Sequence, residues 1–240
     1  MTAGSSPVEV LGAPRDEEPA VSLHLSQVTD ADALLSRDPF ALLIGMLLDQ
    51  QVPMEKAFVG PFVIATRLGR DLDPADIAAR DPAEFAALFA TPPAVHRFPG
   101  AMAARVQSLG AHLADHYGGD AEAVWRDATD GVDLRERIQA LPGFGAGKAR
   151  IFVALLGKRL GVRPDGWREA CAPYGTEGAH RSVADVTGPE SLAAVRADKR
   201  ERKAAAKGTT SSQAGTTPPT EGTTTRTGRR TATKPSGGNP

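Results

Sequence analysis

The sequence predicts an all-α fold, and three observations carry that expectation. Apolar residues recur at helical spacing through most of residues 21–195. Asp-Pro pairs at Asp38, Asp73 and Asp81 stand where helices would begin, the Asp as cap and the Pro in the first turn. Alternating apolar–polar runs of the kind strands need are lacking, and segments rich in Val, Tyr and Thr are scarce in this body.

The elements follow in order. "DPFALLIGMLLDQQ" starts at the Asp38 cap and is apolar on nearly every side, the pattern of a central core helix. "PMEKAFVGPFVIATRLG" continues at helical spacing, with Gly60-Pro61 marking a kink or a break. "DPADIAARDPAEFAALFA" holds two successive helix starts. "AMAARVQSLGAHLADHY" aligns Met102, Val106, Leu109 and Leu113 on one face and stops at Gly118-Gly119. "DLRERIQAL" sets Leu134, Ile138 and Leu141 on one stripe, and "GKARIFVALLGKRLG" has a broad apolar face with Phe152, Val153 and Leu156. Short Gly/Pro-punctuated links join them.

Composition divides the chain into three parts. Residues 1–20 are small, polar and acidic, without a signal-peptide pattern, and are expected to be disordered. Residues 21–195 form a helical domain with enough chain for a core. Residues 196–240 carry ten Lys/Arg against three Asp/Glu, and from Gly208 the chain is nearly all Thr, Ser, Gly and Pro, so this part is expected to be a disordered basic tail. Such a tail suits a polyanion, although solvated tails of this kind are common. No window has the apolar length of a membrane span, so a cytoplasmic protein is expected, nucleoid-associated if bacterial. The single cysteine, Cys171, excludes an internal disulfide, a four-cysteine zinc site and a cysteine-ligated iron–sulfur cluster.

The stretch "LPGFGAGKARIF", Leu141 to Phe152, carries the chemistry. A nucleotide-binding P-loop is excluded: Ala149 stands where the magnesium-binding hydroxyl belongs, Pro142 occupies the first glycine position, and a helix precedes it instead of a strand. The dinucleotide fingerprint fails for the same reasons, so no small-molecule nucleotide is expected. A helix–hairpin–helix fits instead. Pro142 ends one helix, Gly143 and Gly145 permit a tight reversal, and the next helix presents free amides to an anion. A plain αα-turn that needs glycines for its own geometry fits the same residues.

The hairpin "LPGFGAGKA" resembles that of the helix–hairpin–helix-GPD base-excision DNA repair superfamily, the endonuclease III-like DNA glycosylases. "ALLIGMLLDQQV" is similar to the buried helix of that family, whose Gln enters DNA beside a flipped nucleotide; Gln51 takes that place. "FPGAMAARVQSLGAHLADHYGG" resembles the segment before the hairpin. The resemblance spans roughly Asp38 to Asp165 and implies a double-stranded DNA partner. Gly143, Gly145, Gly147 and Lys148 would meet the phosphate backbone. It implies no resident metal or cofactor, apart from a possible monovalent cation held by carbonyls between Leu141 and Gly143. The catalytic Asp of the GPD signature falls by spacing on Asp165, where a carboxylate would stabilise the sugar cation; an Asp in "PDG" is equally an ordinary turn residue.

Two departures matter. Gly147 stands at the family's Schiff-base lysine position and Lys148 comes one residue later, a turn of about 100° on a helix. Lys148 is therefore read as a phosphate contact, and the implied enzyme is a monofunctional glycosylase without abasic-site lyase activity. The four cysteines of the iron–sulfur branch are absent. Three functions follow: a glycosylase, a hairpin DNA-binding module without chemistry, or a helical interaction protein with a basic tether. Trp167 and Tyr174 read as packing residues or as aromatics that stack on a base or close over the pocket, Asp49 as a solvated helix end or a residue at the cleft mouth, and His112/His116 as too few for a metal site.

Overall fold

The structure, a computed structural model, describes the backbone of residues 22–212 and the side chains of residues 22–205. The described chain is all-helical: α1 (Thr29–Arg37), α2 (Pro39–Leu48), α3 (Met54–Leu68), α4 (Pro74–Ala79), α5 (Pro82–Ala90), α6 (Pro99–Tyr117), α7 (Ala123–Arg126), α8 (Gly131–Ala140), α9 (Ala146–Arg159), α10 (Trp167–Ala170), a 3-10 turn (Val183–Asp185) and α11 (Pro189–Ser212). No described helix is long and apolar enough to cross a membrane.

The Asp-Pro starts act as expected. Asp38 accepts from the Phe40 and Ala41 amides at 2.9 and 3.0 Å, and Asp73 and Asp81 cap α4 and α5 in the same way. Every residue of α2 from Phe40 to Leu48 is buried, because α1, α3 and α6 all pack on it. The Gly60-Pro61 pair does not break α3, which runs continuously through a buried Pro61. α4 and α5 lie against α6, whose Met102, Val106, Leu109 and Leu113 are buried on one face.

α8 and α9 pair as an antiparallel hairpin, with α10 packed on both. The buried Lys158–Asp185 ion pair (2.6 Å) ties the 3-10 turn back to α9. The Asp185 carboxylate also accepts from the Arg181 and Ser182 amides, so its charge is met on several sides.

One expectation is corrected here. The basic segment from Arg196 is helical as far as Ser212, not disordered. Leu192 and Val195 anchor its start in the core, Ser191 accepts from the Thr187 and Gly188 amides, and the Ala, Lys, Arg and Glu residues that follow are strong helix formers. The packed body extends to Glu201, and a second unit begins at Arg202. The disorder expected for residues 1–20 and for the tail beyond Ser212 concerns residues outside those described.

Candidate nucleic-acid interface

Three glycines shape the α8–α9 hairpin, and the fold requires only one of them. Leu141 and Phe144 are buried and hold the turn, with the Phe144 ring edge-on to Phe152 at 5.9 Å and its amide on the Leu141 carbonyl at 3.0 Å. Between them Gly143 has φ +83°, in the left-handed region. Gly145 has an ordinary φ of −77°, and a Cβ there would meet nothing within 4 Å. Gly147 likewise faces open space and sits in the first turn of α9, where glycine costs up to about 1 kcal/mol relative to alanine. The amides of Ala146, Gly147 and Lys148 precede the first intrahelical bond, from Ala149 to the Gly145 carbonyl at 2.9 Å, and no side chain caps them. Bare backbone and unsatisfied donors therefore face outward together.

The end of α2 lies against this hairpin. Lys148 Nζ donates to the Met46 and Leu47 carbonyls at 2.6 and 3.0 Å, satisfying the helix end. Lys148 was expected on DNA phosphate; its ammonium is instead committed to α2, because its four-carbon stem reaches the orphan carbonyls. Beyond the helix, Gln50 is held on three sides. Its amide nitrogen donates to the Leu47 carbonyl at 2.6 Å, its amide oxygen accepts from Arg105 at 2.8 Å, and its backbone carbonyl accepts from His96 Nε2 at 2.8 Å. The Phe98 amide donates to His96 Nδ1 at 3.1 Å, which leaves Nε2 as the protonated nitrogen of a neutral ring. Burial lowers the His96 pKa, reinforced by Lys56, Arg97 and Arg105. Gln51 differs from its neighbour: it is exposed, with φ +56°, a conformation costly for a residue with a side chain.

Charge concentrates here. Lys56, Arg97, Arg105, Lys148 and Lys199 act on the groups at the α2 end from α3, the loop before α6, α6, α9 and α11. Among them sits Asp49, a half-buried carboxylate at the negative end of α2 for which no hydrogen bond is seen among the described residues. Burial raises its pKa, while the Lys199 and Lys148 ammoniums oppose that rise.

Burial lowers the Lys148 pKa from 10.5 to about 8; Asp49 opposes the shift and Arg105 adds to it. Because the folded value lies below the unfolded one, the unfolded chain binds more protons between these pH values. Stability should thus rise as pH goes from about 8 toward 10.5. Urea denaturation across this range should show the rise in the wild type and a flatter profile in Lys148→Met; equal slopes would contradict it.

Asp165 lies elsewhere. Its backbone carbonyl accepts from the Gly131 amide at 2.7 Å, and the Pro164–Trp167 segment forms a turn over the start of α8. The hairpin is at the other end of that ten-residue helix, ~15 Å away by helical rise. Arg163, which donates to the Gly157 carbonyl at 2.7 Å, holds the chain at the far end of α9. Spacing alone placed Asp165 in the catalytic role; the tertiary path makes it an exposed turn residue. The chain returns toward the start of α9 only later, where Arg150 reaches the Ala172 carbonyl at 3.5 Å, and Ala172, Pro173 and Tyr174 supply no carboxylate.

Trp167 is buried against Gly157, and Tyr174 is half-buried against the core, so both pack. The His112 and His116 rings lie 4.4 Å apart at a 45° tilt, and no third His, Cys, Asp or Glu joins them among the described residues. The structure thus joins the hairpin, through Lys148 and the Gly143 position, to Met46 and Leu47 at the end of α2, four residues before Gln51, and gathers Gln50, His96 and Arg105 beyond that end. Gln50, His96 and Arg105 carry no local signal in the sequence, whereas Asp49 stands out as an acidic side chain at a helix C-terminus, where the dipole disfavours it. No family model, curated protein or solved structure matches the chain.

Proposed function

We propose that this protein binds double-stranded DNA through the α8–α9 hairpin and the α2–α3 loop, as a helix–hairpin–helix-GPD-type base-excision repair protein that removes a damaged or mismatched base by hydrolysis. One observation carries the DNA reading. Gly145 and Gly147 are glycines that the fold does not need, and they bare the start of a helix whose Lys148 reaches the end of α2, four residues before the strained, exposed Gln51.

Each part has a physical task. The amides of Ala146 to Lys148 and the positive end of α9 suit one phosphate, which can approach because no side chain intervenes. Gln51 stands where a side chain could fill the space left by an extruded nucleotide. The surrounding cations add sequence-independent affinity that falls with salt. A monovalent cation, when bound, would be held by carbonyls between Leu141 and Gly143 and would add positive charge for that phosphate. Among the described residues no hydrogen bond reaches the Gly143 carbonyl, whereas the Leu141 carbonyl accepts from Phe144.

The place of Asp165 favours a second reading, a DNA-binding protein without base removal. Labelled duplexes, each with one deaminated, oxidised, alkylated or mismatched base, separate the two. Salt-dependent binding together with abasic-site formation on at least one duplex is the expected result. Binding alone would select the second reading, and no salt-dependent binding would overturn both.

A further inference from the structure

The glycosylase reading requires a carboxylate near the sugar, and Asp165 is a helix length away from the DNA-facing residues. We infer that Asp49 is the catalytic carboxylate of this site. This inference rests on the proposed base-removing function and names the residue that would perform it.

If the hairpin amides hold a phosphate and Gln51 occupies the vacated base position, the sugar of the extruded nucleotide lies between them. Where the hairpin meets the end of α2, Lys148 is fixed on the Met46 and Leu47 carbonyls, and Asp49 follows one residue beyond the end of α2 and two before Gln51. Glu55, at the start of α3, pairs through one oxygen with Arg196, and its other oxygen is buried rather than open to a substrate.

The surroundings of Asp49 are poor for a structural carboxylate. It sits at the negative end of a helix, is partly removed from water, and has no hydrogen-bond donor among the described residues. Nearby Lys148 and Lys199 keep a negative charge tolerable there. An available carboxylate with free lone pairs is suited to a developing positive charge, and the two ammoniums serve only to keep it ionised.

The reaction balances as hydrolysis. A water oxygen bonds to the sugar C1′ as the C1′–N bond breaks, and the bonding pair leaves on the base nitrogen. Asp49 stabilises the cationic sugar and accepts the proton from the attacking water, later passing it to solvent. The departing base takes up one proton from solvent, so the products are the neutral base and an abasic sugar.

The test uses the full chain and the lesion duplexes above, with base release measured under single-turnover conditions and affinity by fluorescence anisotropy. Asp49→Asn should lower release at least about a hundredfold, with affinity within about twofold of wild type and an unchanged or higher thermal midpoint. Asp49→Glu should retain part of the activity. Wild-type release should rise with pH through an ionisation above the usual carboxylate range; the groups facing it are Lys148 from α9 and Lys199 from α11. That ionisation should be absent in Asp49→Asn. Undiminished release by Asp49→Asn would overturn the assignment while leaving the glycosylase reading intact, and equal losses of release and binding would also overturn it. Absence of release by wild type on every duplex would overturn the underlying reading, and this inference with it.

Discussion

Gly147→Asp is expected to lower affinity for a short DNA duplex at least about tenfold, close to 1.4 kcal/mol of binding free energy, without loss of fold stability. The new carboxylate would project from the first turn of α9 into space where a Cβ meets nothing within 4 Å. There it would occupy and repel the phosphate position. For the helix itself the change is favourable: it removes a glycine and adds an acidic group near the positive helix end, about 0.3–1 kcal/mol. Anisotropy titrations at several salt concentrations, paired with urea denaturation, check both halves. Unchanged affinity would mean that the bare helix start is not the phosphate site. Reduced stability would mean that Gly147 serves the fold after all.

Gly131→Ala should do the opposite, lowering stability by about 3 kcal/mol. A Cβ at Gly131 would lie 2.6 Å from the Gly166 carbonyl carbon and oxygen and from the Trp167 Cα. Those are backbone atoms of the turn whose Asp165 carbonyl receives the Gly131 amide, so they cannot rotate away as a side chain would. The expected consequence is separation of the α10 segment from the start of α8. Gly145→Ala is the contrast, with ordinary φ and open space, and should leave the urea midpoint nearly unchanged. Equal effects from the two substitutions would contradict this division between glycines that serve packing and glycines that leave backbone bare.

These glycines also show how far a sequence can be read. "LPGFGAGKA" is legible as a hairpin because proline stops and glycine turns act over a few residues. Which glycine the backbone needs was not legible. Gly143 has positive φ, and a Cβ there would meet Leu47 of α2 at 3.4 Å, whereas Gly145 and Gly147 have neither feature. The same limit explains Asp165. Counting along the chain from Gly147 reached a plausible carboxylate, but the reversal after α9 carries it to the start of α8. The adjacent glutamines were alike in sequence and differ in structure: Gln50 is locked by Leu47, Arg105 and His96, and Gln51 is left exposed with φ +56°.

By itself the sequence determined the helical class, the capped starts at Asp38, Asp73 and Asp81, the buried α2 and the hairpin. Each follows from periodicity, capping or turn chemistry within a few residues of chain. It did not determine that the basic segment after Arg196 continues as a helix, although the helix-forming residues were visible there. Only the tertiary structure decided what surrounds the hairpin. Lys148 meets the Met46 carbonyl across 102 positions of sequence, Arg105 meets Gln50 across 55, and Asp49 lies in the field of Lys148 and Lys199. Such contacts depend on how α2, α6, α9 and α11 pack, and no local pattern encodes the distance between charges on separate helices.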